Sequence, residues 1–166
     1  MILRVADPAD PDELAAIGAL TVTAYTADGY LAGPDDGYAD HLRAAGDRAR
    51  DATLAVVVDE PDGALLGTVT YCIAGSPWAE VSQAGEAEFR MLAVAPAARG
   101  RGVGAALTTW CLDRARTEGR SAMVLSTLTV MHTAHRLYER LGFVRTPERD
   151  WWPTPEVQLI TYRLPL

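Results

Sequence analysis

The chain has 166 residues, a length that suits one domain with a properly buried core. Apolar residues make up 49% of it and charged residues 22%, which excludes a disordered chain. The formal charge of −7 argues against general nucleic-acid binding and leans towards a cationic partner.

In chain order, Met1–Ala6 alternates as a strand does, and it lacks the basic and apolar regions of a secretory leader. Asp10-Pro11-Asp12-Glu13 opens a helix, with proline near the first turn and acids against the dipole. That helix is expected to bury Leu14, Ile17, Leu20 and Val22 or Tyr25 before the break at Asp28-Gly29. A loop over 28–37 and a polar helix over Tyr38–Arg50 follow. Leu54–Val58 reads as a strand, Pro61-Asp62-Gly63 as a turn and Ala64–Ala74 as the next strand. After the loop Gly75–Gly85 comes a strand over Ala87–Ala95.

A helix over Gly102–Glu118 carries Val103, Ala106, Leu107, Trp110, Cys111 and Ala115 on one face and stops at Gly119. Met123–Ser126 is a buried strand, Met131–Arg140 a helix ended by Gly142, and Phe143–Arg145 and Val157–Arg163 the last strands. An irregular Trp151-Trp152-Pro153 segment joins those two. The order β-α-α-β-β-β-α-β-α-β-β implies a mixed α/β sheet flanked by helices in a single domain over residues 1–166. No apolar run is long enough to span a bilayer, so no membrane is expected as a partner. Cys72 and Cys111 read as buried free thiols, which suits a reducing cytoplasm.

The most informative stretch is Glu88–Ala105, EFRMLAVAPAARGRGVGA. A strand ends at Pro96, and arginines and glycines then open a helix. Backbone N–H groups at a helix start lack intrahelical partners, and the dipole adds partial positive charge there. Gly100, Gly102 and Gly104 remove side chains that would hold a pyrophosphate off those amides, and Arg99 and Arg101 add mobile positive charge. Gly100, Gly102 and Ala105 also satisfy G-x-G-x-x-A, but a dinucleotide fold places its first glycine directly after an opening strand. No P-loop pattern occurs. The pattern that fits is R-x-x-G-x-G, filled by Arg99, Gly102 and Gly104 after L-A-V-x-P, with A-x-x-L-Y-E-x-L-G-F from Ala134 to Phe143 further on.

These two blocks, in this order and at this separation, resemble the GNAT superfamily of acyl-CoA-dependent N-acyltransferases. The strong resemblance covers about residues 86–145. It implies a mostly antiparallel central sheet with acyl-CoA wedged between two splayed parallel strands. Main-chain atoms of Leu92, Ala93 and Val94 would pair with pantetheine, and Arg99, Gly100, Arg101, Gly102, Val103 and Gly104 would cradle pyrophosphate. The resemblance also implies acetyl-CoA as co-substrate, an amine acceptor and no metal. A homodimer, common in the family, would use the aromatic segment Trp151–Pro155 and the last strand.

Tyr138 stands where many members carry the acid that protonates the departing thiolate. A phenol of pKa ~10 is able to donate to a thiolate whose acid lies near ~8.5. The alternative is a core aromatic at helical spacing with Ala134 and Leu141. Glu88 stands where one branch of the family carries a glutamate base, and its alternative is a solvated acid beside Glu86. Where many relatives carry asparagine this chain has Met131, so one side-chain bond to the cofactor is lost or taken over by Thr127, Thr129 or Thr133. His132 and His135 lie one turn apart but lack any supporting metal motif. The function implied is acetyl transfer to a primary amine, of a small molecule before a protein Nα- or lysine amine. The reading from another class is an acyl-CoA sensor without turnover.

Overall fold

The computed structural model describes residues 1–31, 36–60 and 62–166. Residues 32–35 of the predicted loop and Pro61 of the predicted turn lie outside the described residues. The chain runs β1 (Ile2–Val5), α1 (Pro11–Ala27), α2 (Gly37–Arg43), α3 (Ala45–Asp51), β2 (Thr53–Val58), β3 (Leu65–Ile73) and β4 (Glu86–Val94). It continues through α4 (Val103–Thr117), β5 (Ala122–Leu128), α5 (His132–Arg140), β6 (Val144–Arg145), β7 (Trp151–Thr154) and β8 (Val157–Pro165). The strands are hydrogen-bonded in the order β1-β2-β3-β4-β5-β8-β6, and β7 pairs with β8. β4 and β5 run parallel, whereas β1–β2, β2–β3, β5–β8, β6–β8 and β7–β8 are antiparallel. This is the mixed sheet that the element order implies, mostly antiparallel as the resemblance implies.

By backbone contacts the chain forms two compact units, Met1–Tyr71 with Met91–Trp110, and Cys72–Arg90 with Cys111–Leu166. In the first unit, Asp10 caps α1 by accepting from the N–H groups of Asp12 and Glu13, both at 3.0 Å. Such a cap stabilises a helix by about 1 kcal/mol. The buried stripe of α1 is Ile17, Gly18, Thr21 and Ala24, not the row of large residues expected from spacing. Gly18 explains the difference: a Cβ there would stand 2.6 Å from the Arg43 carbonyl oxygen, so the helix packs through its small residues. Ile17 closes a core with Ala6, Ala45, Leu54 and Val56.

The single helix expected over Tyr38–Arg50 is two, broken at Ala44 (ψ 51°). A helix end leaves carbonyls without partners. The buried Arg48 supplies one, donating to Leu42 O (2.8 Å) and also to Thr70 Oγ1 (2.9 Å). Gly67 of β3 lets α4 come close, since a Cβ there would fall 2.6 Å from Val103 Cγ1 and 2.9 Å from Ala93 O.

In the second unit, β5 and β8 pair over seven residues, from Ala122↔Pro165 to Leu128↔Leu159. The segment expected to be irregular at Trp151-Trp152-Pro153 is strand β7, with proline tolerated because, among the described residues, β7 pairs on one side, with β8. Arg145 fixes the approach to it, binding Asp150 at 2.8 Å and stacking over the Tyr162 ring. The buried Glu86 lies between Arg149 and Arg163, each 2.8 Å away, and accepts from the Gln83 N–H.

Burial alone would raise the Glu86 pKa, but the bonds from Arg149, Arg163 and Gln83 outweigh it and hold it at about 2. A folded pKa below the unfolded value stabilises the protein above that unfolded value, and the gain fades as pH falls through the folded one. Stability should therefore drop between about pH 4.5 and pH 2, by up to about 3 kcal/mol for this group. Urea unfolding of wild type and Glu86→Gln across that range checks it. The two curves should converge as the carboxyl protonates.

Candidate active site

The first unit carries the predicted anion cradle. β4 reaches Val94, Ala95 donates its N–H to Leu66 O (2.9 Å), and a 3-10 turn over Pro96–Ala98 leads to the loop. Ala93 is buried, while Leu92 and Val94 are half-buried. Just before them Met91 has a φ of 52°, a conformation that costs a non-glycine residue on the order of 1–3 kcal/mol. Its side chain is buried, and that packing holds the kink.

Gly100 and Gly102 take φ values of 78° and 80°, and a Cβ at either would point into open space. The N–H groups that begin α4, from Val103 to Ala105, have no acceptor within the helix by its geometry. Open glycine faces beside unpaired amides at a helix start are what a pyrophosphate requires, so this loop fits the phosphate part of an acyl-CoA. The loop arginines differ from expectation in one respect. Each already has a carboxylate partner: Arg99 pairs with Asp28 and Arg101 with Asp59, each at 2.9 Å.

The second unit carries the two predicted proton-transfer residues. The Tyr138 ring is buried edge-on against Phe89, with Phe143 and Tyr162 near 6 Å (centroids at 5.7, 5.9 and 6.1 Å). Glu88 is fully buried, so it is not the solvated acid that was its alternative. Its Oε2 accepts from the N–H groups of Glu80, Val81 and Ser82, all at 3.0 Å. Its Oε1 is buried and has no hydrogen-bond partner among the described residues. Successive strand residues face opposite ways, so Glu88 and the Phe89–Tyr138 contact belong to opposite faces of β4.

Glu88 is one of three charged residues on its face. Arg90 donates to Trp78 O (2.8 Å) and pairs with Glu80 (2.7 Å), and Glu86 takes the Gln83 N–H (3.0 Å). Glu86, Glu88 and Arg90 thus tie the loop before β4 to that strand. Arg90 is absent from the residues singled out by sequence; its signal was the alternation of charge at every second strand position.

Met131 precedes α5 and accepts a bond from the Thr127 hydroxyl at its sulfur (3.2 Å). Thr133 accepts from Arg136, and Thr129 is exposed. His135 donates Nε2–H to Leu128 O (3.0 Å), and burial lowers its pKa. Among the described residues no group of three His, Cys, Asp or Glu is placed to hold a metal ion. Burial, aided by Glu88, pushes the Cys72 thiol up to about 12, and burial raises Cys111 also, so neither is poised as a thiolate.

Residues 19–143 match the model of the acetyltransferase (GNAT) family, and the chain belongs to that family. A curated relative, mycothiol acetyltransferase of Beutenbergia cavernae, is 38% identical over 90 residues, 54% of this chain. The chain spans only 28% of that relative's length in the match. A GNAT-family protein from Desulfovibrio desulfuricans superposes with a TM-score of 0.74 at 20% identity, over 99% of this chain and 98% of its own. The yncA protein of Salmonella typhimurium, solved with its cofactor acetyl-CoA, gives 0.67 at 24% identity over 99% and 93%.

The open glycine face supplies a direct test. Gly102→Glu places bulk and negative charge where the phosphates would lie, in a backbone conformation that side chains disfavour. Calorimetry should show acetyl-CoA affinity reduced by at least about a hundredfold, with circular dichroism unchanged, as loss of two or more charge-assisted bonds predicts.

Proposed function

We propose that this protein transfers the acetyl group of acetyl-CoA to a primary amine of a small molecule, by direct attack within a ternary complex. The observation that carries the reading is the loop of Gly100 and Gly102, open-faced and followed by the start of α4, whose first amides have no intrahelical acceptor. In this reading the backbone of Leu92, Ala93 and Val94 holds pantetheine, and Arg99–Gly104 holds pyrophosphate. A backbone N–H of the Leu92–Val94 segment stabilises the tetrahedral oxyanion. Met91 supports that role, because its kink ends regular strand geometry immediately before these residues. A small-molecule acceptor is favoured because the curated relative is named for mycothiol and not for a protein. The cytoplasm remains the proposed location, supported by two free buried cysteines.

Proton transfer is assigned to two residues. Tyr138 donates to the departing thiolate, and Glu88, which leaves the opposite face of β4, takes the amine proton at Oε1 through water, since its Oε2 is committed to three amides. No covalent acyl-cysteine is used, because the raised thiol pKa values leave too little thiolate at neutral pH.

Release of CoA thiol measured over a panel of free amines and amine-bearing peptides tests the reading. Turnover with free amines exceeding that with peptides supports it; turnover with peptides alone replaces the small amine by a protein amine, and none at all leaves a sensor. With the best acceptor, Tyr138→Phe should lower turnover by roughly ten- to a thousandfold while acetyl-CoA affinity holds. Glu88→Gln keeps one carbonyl oxygen for the loop amides and should cost most at low pH, where the amine is protonated. A flat difference across pH would remove Glu88 as base.

A homodimer belongs to the same proposal. Trp152 on β7 is 57% exposed, and among the described residues β7 pairs with β8 alone, which leaves apolar surface and strand edge for a second copy. Light scattering at micromolar concentration should give twice the chain mass, and Trp152→Glu should return it to one.

A further inference from the structure

Both arginines of the phosphate loop already hold an anion. Arg99 Nη1 lies 2.9 Å from Asp28 Oδ1, and Arg101 Nη2 lies 2.9 Å from Asp59 Oδ2. The carboxylates come from separate segments of the first unit. Asp28 caps the C-terminus of α1, and Asp59 follows β2, its backbone turned by bonds to Ala64 and Gly63. Each pair joins partners distant in sequence and flanks a glycine whose Cβ direction is open. Both arginine side chains are 42% exposed, and the two aspartates 37% and 27%. Pairs this exposed are each worth about 1 kcal/mol or less, so another anion is able to take the guanidinium away.

We infer that Asp28 and Asp59 are resident counter-ions of the cofactor's phosphate loop, and that an incoming polyphosphate displaces them from Arg99 and Arg101. The inference rests on the acetyl-CoA reading of this loop and adds two residues to it. In the free protein each arginine charge is cancelled by its aspartate. A single weak anion gains little by replacing one carboxylate with another. A pyrophosphate gains more, because it meets two guanidinium groups and the amides of α4 together. The aspartates therefore weaken binding of every anion, and weaken it most for small ones. They set selectivity for a polyphosphate at some cost in affinity. The hydrogen bond from Arg101 also lowers the Asp59 pKa, so that counter-ion stays charged throughout the neutral range.

The experiment is calorimetric titration of acetyl-CoA, and separately of inorganic pyrophosphate, into wild type, Asp28→Asn, Asp59→Asn and the double variant. At low salt, about 20 mM, each single change should tighten acetyl-CoA binding about two- to fivefold and the pair about tenfold. The gain should shrink at about 0.5 M salt, where screening reaches only a few ångströms. Pyrophosphate, which meets the same two guanidinium groups and amides, should gain by a similar factor. Asp59→Ser, which removes the charge and shortens the side chain, should give the same sign.

Unchanged or weaker acetyl-CoA binding in the asparagine variants, with wild type binding normally, overturns the counter-ion role and makes the aspartates mere supports of the arginines. Wild type that binds no acetyl-CoA overturns the cofactor reading, and the inference with it.

Discussion

Consecutive backbone N–H groups without backbone acceptors attract an anion, and this protein presents that arrangement both before β4 and at the start of α4. Burying such groups unpaired would cost on the order of 1–3 kcal/mol each. In the loop before β4 the chain answers with its own carboxylates: Glu88 takes three amides and Glu86 a fourth. At the start of α4 two glycines keep the approach clear. One cradle is filled and structural. The other is left for a ligand.

The open cradle was legible because its signal is local. Three glycines at the head of an apolar helix, after a strand and a proline, specify a backbone shape with little help from tertiary packing. The mixed sheet was legible for a similar reason, since one helix, α4, separates the parallel β4 and β5 and most other strands follow one another directly. The aromatic setting of Tyr138 was half-legible: helical spacing turns it towards the core, but nothing in the sequence supplies Phe89, Phe143 and Tyr162 around it.

What the sequence did not disclose depends on contacts between distant segments. Gly18 and the small residues beside it form the buried stripe of α1 because the Arg43 carbonyl approaches there, and hydrophobic spacing cannot see a carbonyl. The break at Ala44 has no glycine or proline to mark it; Arg48 accommodates it by taking the Leu42 carbonyl. Strand β7 hides behind a proline that only a position with an unpaired side allows. Met91 holds a left-handed conformation that sequence would assign to glycine, sustained by a buried side chain. Nothing in the sequence pairs Glu86 with Arg149 and Arg163, or Glu88 with the amides of the loop before β4.

All 15 lysine-or-arginine positions of this protein are arginine, so among them burial, not residue type, divides structural cations from exchangeable ones. Arg90, 9% exposed, anchors a carbonyl and a carboxylate of one loop, and removing either partner would leave a charge with little water to solvate it. Arg99 and Arg101 use the same fork on aspartates, but water reaches both ends of each pair. Parting those pairs costs little, because solvent or a phosphate solvates the guanidinium as well as the carboxylate did. The same side chain is therefore a rivet beneath β4 and an exchangeable contact at the head of α4. The arginine count carries a second consequence: no side chain of this protein is a primary amine. Acetyl groups found on side-chain amines after a reaction with it therefore reside on another molecule, and a peptide assay is free of that background.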